Sequence, residues 1–367
     1  VLLSLALTNF RNHKELVLNE LAPLIVLLGK NGVGKTNILE AISLLAPGRG
    51  MRQAKFEDIL YNNGSSVSSW SVYANLNGDL SLATGYGQGA GLRGKNQRIL
   101  KVSGKAIKTQ AEIISQLRVI WFSPQLEDLC LTGASIRRKY FDRLTYNFFS
   151  IHAENVLIYE KLLQNRQKIL AENRHDEIWL QQIENKLADI MLKIASARLQ
   201  ALAIINIELD KLNDDFLKPT LELKGFIEDK LVNNLSNSEI ICMVTDKLKS
   251  NRMLDFLSKR TNFGVHKSEF ALYNSQKSRY AAQCSTGEQK SMLLSLVLAQ
   301  ASALSSNEAS SGKVVLLLDE AFSHLDQHRQ QQLLDILKHL KVQTWITTAL
   351  DNFIKPDEIQ ILRIGSC

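Results

Sequence analysis

With 367 residues, 45% of them hydrophobic and 22% charged, the chain has ordinary globular composition and is long enough for two or three domains with substantial cores. Its formal charge of +7 is compatible with a nucleic-acid partner without requiring one. The four cysteines, Cys130, Cys242, Cys284 and Cys367, form no C-x-x-C pair and have no histidines at ligand spacing, which argues against a zinc site or a disulfide framework and favours a reducing cytoplasm.

The start, VLLSLALTNFRN, has no basic region before its apolar stretch and no small-residue cleavage site, and no apolar run reaches the length needed to span a bilayer. It alternates instead, which predicts a first strand with Leu3, Leu5 and Leu7 on one face. Residues 1–20 read as two strands joined by a turn at Asn9–Lys14. Leu24–Leu28 (LIVLL) reads as a strand buried on both faces. Gly29–Thr36 (GKNGVGKT) follows and fits G-x-x-x-x-G-K-[ST] at Gly29, Gly34, Lys35 and Thr36. Lys30, Asn31, Gly32 and Val33 complete the loop, and Asn37 opens a helix with apolar residues at Ile38, Ala41, Ile42 and Leu45. Glycines let backbone N–H groups point inward at phosphate oxygens, Lys35 reaches the β- and γ-phosphates, and the Thr36 hydroxyl suits Mg²⁺.

Pro47–Gly50 ends that helix, and residues 51–63 have room for a short one. Residues 66–125 look β-rich, with strands at Val67–Leu76, Leu80–Thr84, Ile99–Val102 and Val119–Phe122. No helical pattern follows Gly85–Gly94 (GYGQGAGLRG), so it reads as a hairpin loop and not a second nucleotide loop. From 134 to 261 the pattern is mostly helical, over Ile136–Phe149, Ile151–Asn173 and Ile178–Leu217. Ile183, Leu187, Ile190, Ile194 and Ala197 support a helical hairpin or short coiled coil, and a strand pair is expected near Thr220–Phe226. Mixed α/β texture returns at about Asn262, with strands at Phe270–Tyr273, Tyr280–Ala282, Val314–Leu318, Gln343–Thr347 and Ile359–Ile364 and helices at Glu288–Leu304 and Gln327–Leu340. The expected domains are a head from 1–125 and 262–367 and a helical lobe from 126–261.

The second half of a nucleotide site lies at Val314–Glu320 (VVLLLDE). An apolar strand ending in Asp319 has the Walker-B pattern for holding the Mg²⁺ shell, and Glu320 is placed to polarise a water. Ser285–Lys290 (STGEQK) stands before an apolar helix, where alone it reads as a capped N-terminus. Ser323–Asp326 (SHLD) follows the acidic pair. The order P-loop, STGEQK, strand-DE, SHLD resembles an ABC-type ATPase head. That resemblance makes Ser285, Thr286, Gly287, Glu288 and Gln289 a signature acting on the nucleotide of a second subunit, Ser323 and Asp326 a D-loop, and Thr347 and Thr348 the switch, where many such heads carry histidine. Gln125 falls at the Q-loop place, either on Mg²⁺ or water or as a surface turn residue.

The long insertion between Thr36 and Ser285 exceeds that of transport ATPases and lacks the coiled-coil length of SMC proteins. LTNFRN at 7–12, GKNGVGKTNILEAI at 29–42, LAPGRGMR at 45–52, WFSPQLEDL at 121–129, SIRRKYFDRL at 135–144, STGEQKSMLLSLVLAQA at 285–301 and LLLDEAFSHLD at 316–326 resemble the RecF family along the whole chain. The resemblance implies an α/β fold: an ABC-type P-loop ATPase head, with a β-rich N-terminal subdomain and a mostly parallel core sheet, carrying an inserted helical lobe. It departs at Gly264–Glu269 (GVHKSE), where the family usually has a GPHRDD-like stretch.

The resemblance further implies ATP and Mg²⁺ as cofactors, with Arg11 and Asn12 near the adenine or phosphates. It implies an ATP-dependent homodimer closing on duplex or gapped DNA, slow DNA-stimulated hydrolysis with Glu320 as base, and work with RecO and RecR in helping RecA replace the single-strand-binding protein. Residue chemistry supports DNA contact only through basic clusters, one at Lys95, Arg98, Lys101, Lys105 and Lys108 and one at Arg137, Arg138, Lys139 and Arg143. Arg137 and Arg138 read equally well as ion partners for Asp142 and the head. A nucleotide-switched scaffold, whose ATP state controls partner docking, is the alternative. A transporter subunit fits the long insertion poorly.

Overall fold

A computed structural model describes residues 1–61, 68–77, 79–87, 97–107, 109–172, 177–212, 217–308, 310–323, 325–349 and 359–365. In chain order the elements are β1 (Leu2–Phe10), β2 (His13–Leu18), β3 (Leu24–Leu28), α1 (Lys35–Ser43), β4 (Ser69–Leu76), β5 (Ser81–Gly87), β6 (Gln97–Val102), β7 (Lys105–Ala106), α2 (Gln110–Ile114), β8 (Arg118–Phe122), α3 (Pro124–Glu127), α4 (Ala134–Phe148), α5 (Ile151–Ala171) and α6 (Glu177–Lys211). There follow β9 (Thr220–Lys224), α7 (Phe226–Val232), α8 (Asn237–Ser250), α9 (Arg252–Ser258), β10 (Glu269–Asn274), β11 (Arg279–Tyr280), α10 (Thr286–Ser306), β12 (Val314–Leu318), α11 (Gln327–His339), β13 (Gln343–Thr348) and β14 (Gln360–Arg363). Two compact units result, one from Val1–Asp128 with Leu293–Cys367, the other from Leu129–Leu212 with Leu217–Met292.

The first unit holds two sheets. One is parallel, in the order β14-β3-β13-β12-β8. Every residue of β3, β8, β12 and β13 is buried, which is why β3 and β12 read as continuous apolar runs and not as alternating strands, while β13 (QTWITT) buries Gln343 and three threonines. The other is antiparallel, in the order β2-β1-β4-β5-β6-β7. Here β4 alternates strictly between exposed and buried, and Trp70 packs edge-on against Phe10 with ring centroids 5.5 Å apart. On β1, Leu5 and Leu7 face the core as expected, but Leu3 is exposed and Leu2 is buried in its place. The register against β4 shifts between Leu2 and Ser4, and that irregularity moves the inward position by one residue. The short helix expected in 51–63 is a 3-10 turn at Phe56–Ile59. Gly85–Gly87 belong to β5; residues 88–94 of the expected hairpin loop lie outside the described residues.

The second unit packs α4–α9 with a three-stranded sheet, β11-β10-β9. Among the described residues near 220 there is one strand and not a pair. Its partner is β10, antiparallel from Thr220–Tyr273 to Lys224–Glu269. A lone strand needs a ladder, so this unit reaches past residue 261 to take in β10 and β11. Contrary to the expectation from sequence, α6 is by length and composition apolar enough to cross a membrane. It is the core helix of this unit: Leu187, Met191 and Ile194 are buried with Ile240, Val244 and Leu248 of α8. Serine caps α8, the Ser236 hydroxyl accepting from the Glu239 N–H at 3.3 Å while Glu239 accepts from the Ser236 N–H at 2.9 Å.

Charge is also buried here. Arg166 is fully enclosed and donates to Glu184 (3.0 Å), Asp255 (2.7 Å), Thr261 (3.2 Å) and the Leu248 carbonyl (2.8 Å). Arg166→Met would leave two buried carboxylates short of a partner and is expected to cost about 3–5 kcal/mol in urea unfolding followed through Trp179. Asp142 accepts from Arg198 at 2.8 and 2.9 Å and lies 2.8 Å from His152 Nε2. Burial alone would raise its pKa, but the Arg198 charge and these hydrogen bonds outweigh burial and hold it at about 2. A depressed carboxylate stabilises the fold above its ordinary pKa and loses that contribution as pH falls through its folded value. The stability gap between wild type and Asp142→Asn, about 2 kcal/mol at neutral pH, is therefore expected to close between about pH 4 and pH 2 in acid titrations of unfolding.

Candidate nucleotide site

The phosphate loop runs from the end of β3 to the start of α1. Gly34 stands at φ 102°, and a Cβ there would lie 2.4 Å from the Asn12 amide. A Cβ on Gly29 would lie 2.5 Å from the Ile364 carbonyl. Only glycine admits that backbone angle and these close approaches. Lys35 is a buried residue whose ammonium donates to the carbonyls of Gly29 (2.5 Å) and Lys30 (2.9 Å), so the loop wraps its own cation. Burial lowers its pKa, against the opposing charges of Glu320 and Asp319; phosphate would restore it.

Arg11 and Asn12 brace this loop. The Asn12 amide donates to the Val33 carbonyl at 3.0 Å and accepts from Asn37 at 2.7 Å. Arg11 forks onto Glu40 at 2.9 and 2.7 Å and donates to the Asp58 carbonyl at 2.8 Å. Arg52 joins through Asn37 at 2.9 Å and Glu40 at 3.5 Å. Arg11 is thus committed to a buried carboxylate instead of standing free for adenine or phosphate. Glu40 has no exposed surface and was not singled out from sequence; the signal was an acid inside the apolar run NILEAI.

Opposite the loop, β12 delivers Asp319 and Glu320. The Asp319 N–H donates to the Phe122 carbonyl at 3.0 Å. Its Oδ1 accepts from two hydroxyls, Thr36 Oγ1 and Thr347 Oγ1, each at 2.8 Å. The Glu320 N–H donates to Thr347 Oγ1 at 2.9 Å, and Glu320 has φ 53° with an exposed side chain. Thr36, Asp319, Glu320 and Thr347 are thus one hydrogen-bonded chain across three elements, with Thr348 buried beside it on β13. The Ser323 hydroxyl donates to the Glu320 carbonyl at 2.6 Å, and Asp326 caps α11 by accepting from the Arg329 N–H at 2.8 Å. Gln125 is exposed on α3, and His324 lies outside the described residues. One carboxylate and one hydroxyl are hard oxygen donors suited to Mg²⁺. Among the described residues no cluster of three or more acidic, histidine or cysteine side chains could hold a metal.

The STGEQK segment opens α10 in the second unit. Ser285, Thr286 and Gly287 are exposed. Glu288 accepts from the Ser285 N–H at 2.9 Å and the Ser285 hydroxyl at 3.0 Å, and pairs with Lys277. Lys277 and Ser285 hold its pKa down to about 2. Gln289 is buried and donates to the Cys284 carbonyl at 3.0 Å.

The basic clusters divide. Lys101 and Lys105 are exposed on β6 and β7 and Lys139 on α4, whereas Lys95 and Lys108 lie outside the described residues. Arg98 turns inward. It donates to the carbonyls of Gly48, Leu44 and Ala46 beyond the end of α1, to Thr84 at 2.9 Å, and lies 5.3 Å from the Phe56 ring centroid. Burial lowers its pKa to about 10. Arg137 pairs with Glu269 and donates to the Phe270 carbonyl at 3.1 Å; Arg138 donates to the Ser268 carbonyl at 2.9 Å. Their partners come from the GVHKSE departure and its neighbour, while Asp142 is held by Arg198 instead.

The family model described as "RecF/RecN/SMC N terminal domain" matches residues 1–361. The chain belongs to the RecF family. It is 41% identical over 355 residues to the "DNA replication and repair protein RecF" of Rickettsia conorii, covering 95% of this chain and 96% of that one. The RecF of Rickettsia akari is 40% identical over 344 residues, covering 94% and 93%. A solved structure of "the recombination mediator protein RecF-ATPrS in RecFOR pathway" superposes with a TM-score of 0.80 at 25% identity, over 100% of this chain and 96% of that one. An SMC head domain from Pyrococcus furiosus superposes with a TM-score of 0.51 at 13% identity, over 95% and 90%, and shares the fold alone. The fold is that of an ABC-type P-loop ATPase head with a helical insertion. Thr347→Val removes the hydroxyl joining Asp319 to Glu320 and is expected to cost about 1–3 kcal/mol in denaturant unfolding, with Thr347→Ser recovering most of it.

Proposed function

We propose that this RecF-family chain is an ATP-dependent DNA-binding recombination mediator of DNA replication and repair. Its substrate is ATP, held on Gly29–Thr36. Support comes from the names of its relatives and from the ATPrS complex of the solved RecF. The observation that carries the reading is the convergence of Thr36 and Thr347 on one oxygen of Asp319, with Glu320 tied to the same threonine. That arrangement senses the loop, the acidic strand end and β13 at once. Mg²⁺ on Thr36 and Asp319, with Gln125 near it, would neutralise charge developing on the phosphates. Lys35 exchanges its carbonyl partners for phosphate oxygens. Glu320 orients a water and takes its proton. Ser285, Thr286 and Gly287 of a second copy cover the γ-phosphate, their exposed N–H groups at a helix start suiting an anion. Closure of two copies holds duplex or gapped DNA by shape and charge, with Lys101, Lys105 and Lys139 on phosphates. The RecFOR association of the solved relative supports RecO and RecR as partners, and the setting in this proposal is RecA loading in the cytoplasm.

A second reading, a nucleotide-switched scaffold, is favoured by the inward engagement of Arg98, Arg137 and Arg138, which removes cations from any DNA surface. Salt dependence separates the two. A clamp neutralising several phosphates loses affinity steeply with salt, whereas a scaffold does not.

Sedimentation of Glu320→Gln with Mg-ATP and gapped duplex is the test. An ATP-dependent dimer that holds DNA, with hydrolysis reduced at least about a hundredfold, is expected. A monomer under saturating ATP would overturn the sandwich. Lys35→Arg is expected to weaken ATP binding, and Ser285→Arg to leave ATP binding intact while blocking the dimer.

A further inference from the structure

We infer that α9 and the start of α6 form a docking site for an acidic, amphipathic segment of a partner protein. The seven-residue α9 turns Asp255 inward onto Arg166 and leaves Met253, Leu254, Phe256 and Leu257 exposed, Met253 by 68% and Leu257 by 69%. Arg252, the first residue of α9, pairs with Glu177 at 2.7 Å and Glu184 at 2.6 Å and so ties α9 to the start of α6, where Ile178 and Trp179 are also exposed. A helix this short does not hold its shape alone. Here the buried Arg166–Asp255 pair and Asn262, which donates to Asp255 at 2.8 and 3.0 Å, fix it to the unit. The fold thus spends a buried ion pair on presenting large apolar side chains to solvent, and a contiguous patch of that kind marks an interaction surface.

Charge selects the occupant. Lys247 and Lys249 precede α9 and Lys259 and Arg260 follow it, all exposed; of the acids nearby, Asp255 is buried and paired, Glu177 is exposed but paired with Arg252, and Asp246 is exposed, so cations outnumber acids. A two-fold contact between copies would bring these cations against themselves. Nucleic acid would use the cations and leave Met253 and Leu257 wet. A segment with apolar residues at helical spacing and carboxylates at its margin satisfies both parts, as in helix-in-groove recognition.

The test is selection of a displayed library of random fourteen-residue peptides on the full chain, with counter-selection on Met253→Ser/Leu257→Ser. The altered side chains are exposed, so the variant is expected to unfold at the wild-type midpoint. Recovered peptides should be rich in Asp and Glu with large apolar residues three or four apart. Their affinity, read by fluorescence anisotropy, should fall at least about tenfold in that variant and again in Lys259→Glu/Arg260→Glu. Failure to recover variant-sensitive peptides, or recovery of basic or uncharged ones, would overturn the proposal. So would variant-sensitive binding to phosphatidylserine vesicles without peptide binding, or variant-sensitive self-association in sedimentation.

Discussion

Asp319 Oδ1 is the atom on which the head depends. It accepts from Thr36, which opens the helix after the phosphate loop, and from Thr347, which lies on the neighbouring strand. Both bonds require β3, β13 and β12 to hold adjacent places in register, as they do, with Leu318 opposite Ile346 and Thr348 opposite Leu28. A slip of one residue would turn Asp319 or Thr347 to the other face of the sheet. Matched polar groups in the sheet oppose it: Gln343 of β13 donates to the Leu2 and Ala22 carbonyls at 2.8 and 3.1 Å, and a slip would also strip Thr347 of its bonds to Asp319 and Glu320.

The phosphate loop is braced from beneath in the same manner. Gly34 accommodates Asn12, Asn12 holds Asn37, and Asn37 accepts from Arg52, which shares Glu40 with Arg11. Glu40 is wholly enclosed, and a buried carboxylate is tolerated only when its lone pairs are filled. The turn between β1 and β2 therefore exists to supply Arg11 and Asn12 to the loop, and Arg11 adopts φ 55° to do so.

Continuous apolar strands, the glycine loop and the acidic strand end were legible in the sequence because each follows from a local rule of pattern or spacing. Long-range choices were not. Leu2 displaces Leu3 because of a register irregularity against β4, some seventy residues away in the chain. β9 finds its ladder in β10, so a strand amid helices had no local sign of its partner. α6 is apolar enough for a membrane, yet Glu184, Arg198 and Glu208 lie buried along it, and the first two are neutralised by arginine and aspartate partners from distant segments. A composition scan cannot distinguish a lipid-facing helix from one whose polar stations are matched inside the protein.

The same blindness affects charge. Arg11, Arg98, Arg137, Arg138, Arg166, Arg198 and Arg252 spend their guanidinium groups on internal carboxylates and carbonyls. The planar fork with several donors suits these sites, where an ammonium would leave acceptors unfilled. Lys101, Lys105 and Lys139 instead remain exposed. The net charge of +7 thus overstates nothing in sum but misleads in place. In RRKYFDR, Arg137 and Arg138 serve the fold while Lys139 stays exposed, and other exposed cations include Arg49, Arg260, Arg279 and Arg363. Contacts from such exposed cations to phosphates position a duplex by shape and charge and by themselves carry no base sequence.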